Sequence, residues 1–104
     1  MELRSAHETM LDQIKHHCGE LEKLNEIIAE GAPTQTGSGI RIPPGTFEMG
    51  RTSEIGGLCS LLKTLEKTII PADKLDGVIA GLTEIKYRHA AIWATIRALK
   101  ERKA

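Results

Sequence analysis

Formal charge is balanced, with 14 basic and 14 acidic side chains among the 104 residues, and 40% of the residues are hydrophobic. This composition argues against a disordered chain and against a polybasic or polyacidic protein, and the length predicts one domain over residues 1–104. Two distant cysteines, Cys18 and Cys59, and a sequence without a signal-like or membrane-spanning apolar segment predict a cytoplasmic protein with reduced thiols.

The first predicted element is a helix over about residues 2–30. Two apolar seams with steps of three and four residues run along it and share Ile14, Leu21 and Ile28. The apolar surface is therefore about twice as wide as that of a two-stranded coiled coil, which predicts contacts with two neighbouring helices. Gly31 follows the last periodic residue and predicts the end of the helix.

Residues 32–50 lack helical periodicity and predict a β-hairpin. Pro44 and Gly45 suit the two central positions of a type II turn. Folding about this turn pairs Ile42 with Phe47, Arg41 with Glu48, and Ile40 with Met49. Because an isolated hairpin is only marginally stable, its apolar face of Ile40, Ile42, Phe47 and Met49 is predicted to bind the helices or a partner. The alternative is a flexible arm that becomes ordered on a partner.

A second helix is predicted over about residues 53–70, with Thr52 or Ser53 as its N-cap. Its apolar stripe comprises Ile55, Leu58, Leu62, Leu65 and Ile69. Gly56 and Gly57 weaken the start of this helix, and close approach of another backbone would be a physical reason for their presence.

A third helix is predicted over about residues 72–102, after Pro71 ends or kinks the second. Its stripe, again with steps of three and four, comprises Leu75, Val78, Leu82, Ile85, His89, Ile92, Ile96 and Leu99. Because no glycine or proline follows Gly81, the pattern predicts one continuous helix. A turn back on the second helix is favoured, and the alternative is that the two form one kinked rod.

These elements predict an all-α protein, a three-helix antiparallel bundle-like module with a β-hairpin inserted between helices 1 and 2. Apolar stripes on all three helices exceed what one such unit would cover, which predicts a homodimer. Residues 1–30 hold seven acidic and three basic side chains, whereas residues 84–104 hold six basic and two acidic ones. Opposite charges of this kind suit helices that lie side by side, either within one chain or between chains.

Four side chains on or beside the apolar seams raise the question of a metal site: His7, His17, Cys18 and His89. Their spacing differs from that of di-iron bundles, which use Glu-x-x-His pairs, so no metal or cofactor is predicted and the histidines are interpreted as polar core or boundary residues. Burial of His89 without a partner would disfavour its charged form and make the seam sensitive to pH. The sequence contains no phosphate-binding loop or hydrolase motif, so no catalytic activity is predicted.

The predicted function is therefore binding, as a small adaptor, inhibitor or assembly factor that acts through a helical surface or through the hairpin. Trp93 flanks the main seam and serves either in packing or as an anchor for a partner. The alternative is a nucleic-acid-binding accessory or regulatory protein that uses the basic C-terminal helix. The basic residues concerned are Lys86, Arg88, Arg97, Lys100, Arg102 and Lys103.

Overall fold

The structure, a computed structural model, describes residues 5–103 and has four α-helices within that range. They are α1 (Ala6–Ala29), α2 (Thr46–Lys67), α3 (Ala72–Thr83) and α4 (Ala90–Lys103). The prediction of an all-α protein is confirmed. The predicted number of helices and the inserted hairpin are wrong, and the predicted start of the first helix at residue 2 lies outside the described residues.

Helix α1 contacts both α2 and α3, which confirms the expectation drawn from its wide apolar surface. Ile14, Cys18 and Leu21 are buried between its two neighbours. The helix ends where predicted, because Gly31 adopts a positive φ of 89° and its N–H donates to the carbonyl oxygen of Ile28 at 3.3 Å.

The four helices form a ring in which α1 packs on α2, α2 on α4, α4 on α3, and α3 on α1. Within the described residues, the diagonal pairs α1 with α4 and α2 with α3 do not pack against each other. The core inside this ring consists of aliphatic residues from all four helices and from their connections. The acidic first helix and the basic last helix are thus separated, so they do not lie side by side within the chain.

The turn predicted at Pro44 and Gly45 is present, but it leads into a helix rather than a second strand. Gly45 has φ 82° and ψ 1°, the values of the third residue of a type II turn, and the N–H of Thr46 donates to the carbonyl oxygen of Pro43 at 3.3 Å. Helix α2 begins at Thr46, so Phe47 is helical. The predicted caps Thr52 and Ser53 therefore lie inside α2.

Polar contacts with α1 explain why α2 begins so early. Arg51 Nη1 donates to Asn25 Oδ1 at 3.2 Å, and Glu54 pairs with His17 Nδ1. A Cβ atom at Gly57 would come within 3.1 Å of the His17 ring, so the glycine permits close packing of a side chain rather than of another backbone, and a Cβ atom at Gly56 would meet nothing within 4 Å. The contacts of Arg51 and Glu54 are polar, so a search for apolar periodicity could not reveal them.

The loop between α1 and α2 does reverse direction, but at a different place from the predicted hairpin. An isolated bridge pairs Gln35 with Arg41, and the N–H of Thr36 donates to the carbonyl oxygen of Ile40 at 2.8 Å. The reversal lies around Gly39, whose φ is 88°. No strand forms in this loop or elsewhere in residues 5–103.

The predicted third helix is interrupted at residues 84–89, between α3 and α4. Thr83 Oγ1 bonds back to the carbonyl oxygen of Ile79 at 2.7 Å, an interaction that weakens helix continuation. In the interruption, burial alternates: Ile85, Tyr87 and His89 are buried or half-buried, whereas the residues between them are exposed. This period of two differs from the helical period, but it coincides with the helical spacing at Ile85 and His89. One continuous helix was therefore the wrong interpretation.

The apolar stripes are covered within the chain, which removes the physical argument for a dimer. All members of the predicted third stripe are buried except the half-buried His89. In the second stripe Ile69 is 91% exposed, and its neighbour Ile70 is buried instead. The large exposed hydrophobic residues are dispersed among different elements, namely Ile40, Met49, Ile69 and Trp93. None of the helices within residues 5–103 is long and apolar enough to cross a membrane.

Candidate functional site

Helix α4 presents an exposed aromatic and basic face. Trp93, Arg97 and Lys100 follow one another at steps of four and three residues, which places them on the same side of the helix. The opposite side is in the core, where Ile92 and Leu99 are fully buried. Trp93 is 45% exposed and lines a shallow groove with the two basic side chains.

Arg88 joins this face from the connection between α3 and α4. Its guanidinium carbon lies 5.1 Å from the centroid of the Trp93 ring, a distance at which a cation is attracted to an aromatic face. We call Arg88, Trp93, Arg97 and Lys100 the Trp93 face. The contact places a planar donor group beside the exposed indole, where it can receive a carboxylate or a phosphate.

The cations of the Trp93 face have no acidic partner among the residues that the structure describes. Within residues 5–103, no ion pair involves Arg88, Arg97 or Lys100. Other basic residues of α4 are engaged, since Lys103 pairs with Asp76 of α3 and Arg102 Nη1 donates to the carbonyl oxygen of Glu66 at 3.4 Å. Because acidic α1 does not contact α4, the positive charge of the Trp93 face is not compensated by that helix.

The remaining predicted site residues lie elsewhere. Lys86 is exposed and lines a groove with Lys15 and Cys18 of α1 rather than joining the Trp93 face. Phe47 and Met49 are two positions apart on α2 and therefore point to different sides of it.

The predicted apolar face of the hairpin is thus not assembled. Ile42 is half-buried and lines a loop groove with Phe47, whereas Met49 is 74% exposed on another surface. Ile40, which the loop presents outward, is also largely exposed.

Each histidine of the seams has its own separate partner. His7 is buried and lies 3.2 Å from Ser5 Oγ, and His17 pairs with Glu54. His89 Nδ1 accepts a hydrogen bond from the N–H of Ala91 at 3.1 Å and so caps α4. His89 is thus not an unpartnered seam residue, and no group of three potential metal ligands occurs in the described part of the chain.

The groups with shifted pKa values are not activated for chemistry. Burial, together with the negative charge of Glu22, raises the pKa of the Cys18 thiol to about 11. Burial is the main cause of a raised pKa at the Tyr87 hydroxyl, and the nearby Cys18 is the second cause. Both groups are protonated at neutral pH, so neither is a nucleophile or a general base there.

Sequence reasoning named every member of the Trp93 face but did not join them. The spacing of Trp93, Arg97 and Lys100 was available as a signal, since residues at steps of three and four share a helix side. The position of Arg88 could not be read from the sequence. In a continuous helix, Arg88 would be five residues before Trp93 and on the opposite side of the helix.

Comparisons of this chain with protein-family models, with curated protein sequences and with solved structures find no match.

Proposed function

We propose that the protein is a non-catalytic protein-interaction module, an adaptor, inhibitor or assembly factor, that binds its partner through the Trp93 face. The observation that carries the proposal is an exposed tryptophan flanked by unpaired cations on a helix whose other side is in the core. Tryptophan and arginine are the residue types most enriched at binding hot spots, and a rigid helix presents them with little loss of entropy.

The protonation states support binding rather than catalysis. Cys18 and Tyr87 hold their protons more tightly than usual, which leaves no activated nucleophile there at neutral pH. A cytoplasmic setting is part of the proposal, because Cys18 and Cys59 are both free thiols.

Nucleic-acid binding is the second candidate, because an exposed aromatic ring among cations can also stack on a base and contact phosphates. Of the six basic residues that the sequence nominates, Arg88, Arg97 and Lys100 lie together on the Trp93 face, and Lys86 is exposed in a different groove. Lys103 is paired with Asp76, which leaves fewer cations for phosphates.

Site-specific photo-crosslinking tests the proposal. A benzophenone amino acid in place of Trp93 would be irradiated in an extract of the native host, with the same group in place of Gln13, an exposed residue of α1, as the control. We expect a defined protein adduct at position 93 that is absent at position 13. Adducts at both positions alike, or at neither, would contradict the proposal, and a nucleic-acid adduct at position 93 would favour the second candidate.

A further inference from the structure

We infer that the Trp93 face binds an acidic helical segment of a partner protein, with carboxylates spaced one helical turn apart. The inference rests on the proposed function and specifies the chemistry of the partner. It is argued from the spacing of the cations, from the contact between Arg88 and Trp93, and from the distribution of charge over the fold.

The spacing of the face matches that of another helix. Trp93 and Lys100 are seven residues apart, which is about 10 Å along the axis, and Arg97 lies about 6 Å from Trp93 along it. A partner helix that lies along α4 repeats its own side chains at the same intervals. Glutamates at steps of three and four on that helix would therefore meet Arg97 and Lys100 in register.

The contact of Arg88 with Trp93 adds a third point of recognition. A guanidinium stacked on an aromatic ring can still use N–H donors at its edge, and these match the two oxygens of a carboxylate. The exposed part of the indole can then cover an apolar side chain of the partner. An amphipathic acidic helix supplies both groups on one side.

The distribution of charge over the fold indicates that an acidic partner binds at the Trp93 face rather than at another surface. The chain has a formal net charge of zero, yet Arg88, Arg97 and Lys100 have no ion-pair partner within residues 5–103. The carboxylates of α1 lie on a helix that does not contact α4. Positive potential is therefore concentrated locally, and it steers an acidic partner to the Trp93 face.

The small number of cations on the Trp93 face disfavours nucleic acid as its partner. The three cations of the Trp93 face would give a slope of about −3 for log K against log salt on duplex DNA, whereas proteins that depend on phosphate contacts make roughly 6–10 of them.

The test uses a stapled helical peptide of about 15 residues built from glutamate, leucine and alanine, with glutamates at steps of three and four. A matched peptide has glutamine in place of each glutamate, and a single-stranded oligothymidine of about 15 nucleotides is the third probe. Because Trp93 is the single tryptophan of the chain, its fluorescence reports contact at this face directly.

We expect the glutamate peptide to bind and to change Trp93 emission, and the glutamine peptide to bind at least about tenfold more weakly. Reversal of charge in R97E/K100E should weaken binding to a similar degree. The control K15E/K63E changes the net charge by the same amount at exposed lysines of α1 and α2 and should bind as the unaltered chain does. Circular dichroism of each variant checks that it is folded.

Equal binding of the two peptides would overturn the acidic partner and leave the protein-binding function in place. Absence of peptide binding would also overturn it, and the crosslink at position 93 would then decide separately whether a different protein binds there. Binding of the oligothymidine alone would overturn the inference in favour of nucleic acid.

Discussion

His89 shows how one side chain separates α3 from α4. Its ring Nδ1 accepts the N–H of Ala91, and its carbonyl oxygen accepts the N–H of Ile92 at 3.0 Å, so both the side chain and the backbone satisfy the first turn of α4. In a continuous helix the backbone itself would have satisfied these donors. The imidazole therefore stabilises the start of a new helix at this position.

Replacement of His89 should reveal the energy of this cap. We expect His89→Ala to lower the free energy of unfolding by about 1 kcal/mol, within the range of about 0.5–2 kcal/mol that caps contribute. His89→Asn should retain most of the stability, because asparagine is a favourable N-cap residue. Urea denaturation measures both, with His16→Ala, an exposed change on α1, as the control. Equal effects of His89→Ala and His16→Ala would exclude the capping role.

Cys18 should make the fold less stable at alkaline pH. Burial and Glu22 raise the pKa of its thiol from 9.0 to about 11, so the unfolded chain loses this proton first as the pH rises. The stabilisation is therefore fully present below pH 9 and is lost as the pH approaches about 11. A pKa difference of this size corresponds to at most about 3 kcal/mol.

Urea denaturation at about pH 8 and about pH 10.5 measures this loss, with Cys18→Ala as the matched control. The variant lacks the thiol, so its stability should decrease less between the two pH values. Identical decreases in the two proteins would show that another group is responsible.

Two glycines of α3 allow the effect of helix propensity on stability to be distinguished from the effect of packing between helices. A Cβ at Gly77 would have no neighbour within 4 Å, whereas a Cβ at Gly81 would lie 2.7 Å from Leu11 Cδ2. Gly81 thus provides the close approach between α3 and α1. The same substitution at the two sites should have different effects.

We expect Gly77→Ala to stabilise the protein by about 0.5–1 kcal/mol, because alanine restricts the unfolded chain at a compatible helical position. Gly81→Ala should not stabilise the protein in this way, because the Leu11 side chain must move. In a protein that already carries Leu11→Ala, Gly81→Ala should stabilise. A thermal or urea melt of the four variants measures these effects. A stabilisation by Gly81→Ala equal to that by Gly77→Ala would rule out the close contact.

The two sides of α4 should respond differently to truncation. Leu99 is fully buried, so Leu99→Ala should cost about 2–5 kcal/mol of stability. Trp93 is half-exposed, and Trp93→Ala should cost less than about 1 kcal/mol while it abolishes binding at the Trp93 face. The same urea titration compares the two variants. A loss at Trp93 as large as that at Leu99 would assign the indole to the core.

At the scale of elements, apolar periodicity predicted what is buried better than it predicted where helices end. The wide surface of α1, its stop at Gly31 and the turn at Gly45 were all evident in the sequence. The start of α2 was not evident in the sequence, because the contacts of Arg51 and Glu54 are polar and leave no pattern of hydrophobic residues. In such places, hydrogen bonds across the interface decide the structure.

The division between α3 and α4 was hidden for a different reason. Ile85 and His89 satisfy both a helical spacing and an alternation with a period of two, so the stripe alone did not distinguish the two structures. Alternation of polar and less polar residues from Glu84 to His89 was the available signal that the helix is interrupted there. The Trp93 face depends on this division, because only the interruption places Arg88 over the indole.

At the scale of the whole molecule, the ring of helices determines which charges are exposed. The ring places α1 and α4 on opposite sides, so the acidic residues of α1 and the basic residues of α4 form two separate fields rather than a neutralised interface. An exposed ion pair contributes only about 0–1 kcal/mol, so this separation costs little stability. It leaves the Trp93 face available for a partner.

The return of α4 along α3 is the central claim, and the distance between residues 76 and 103 tests it directly. Energy transfer would be measured between dyes on Asp76→Cys and Lys103→Cys, with Cys18 and Cys59 replaced by alanine. The side chains of Asp76 and Lys103 are ion-paired across the two helices, so we predict strong transfer and a backbone separation below about 15 Å. One continuous helix would separate the two sites by about 40 Å, and weak transfer consistent with that distance would contradict the account.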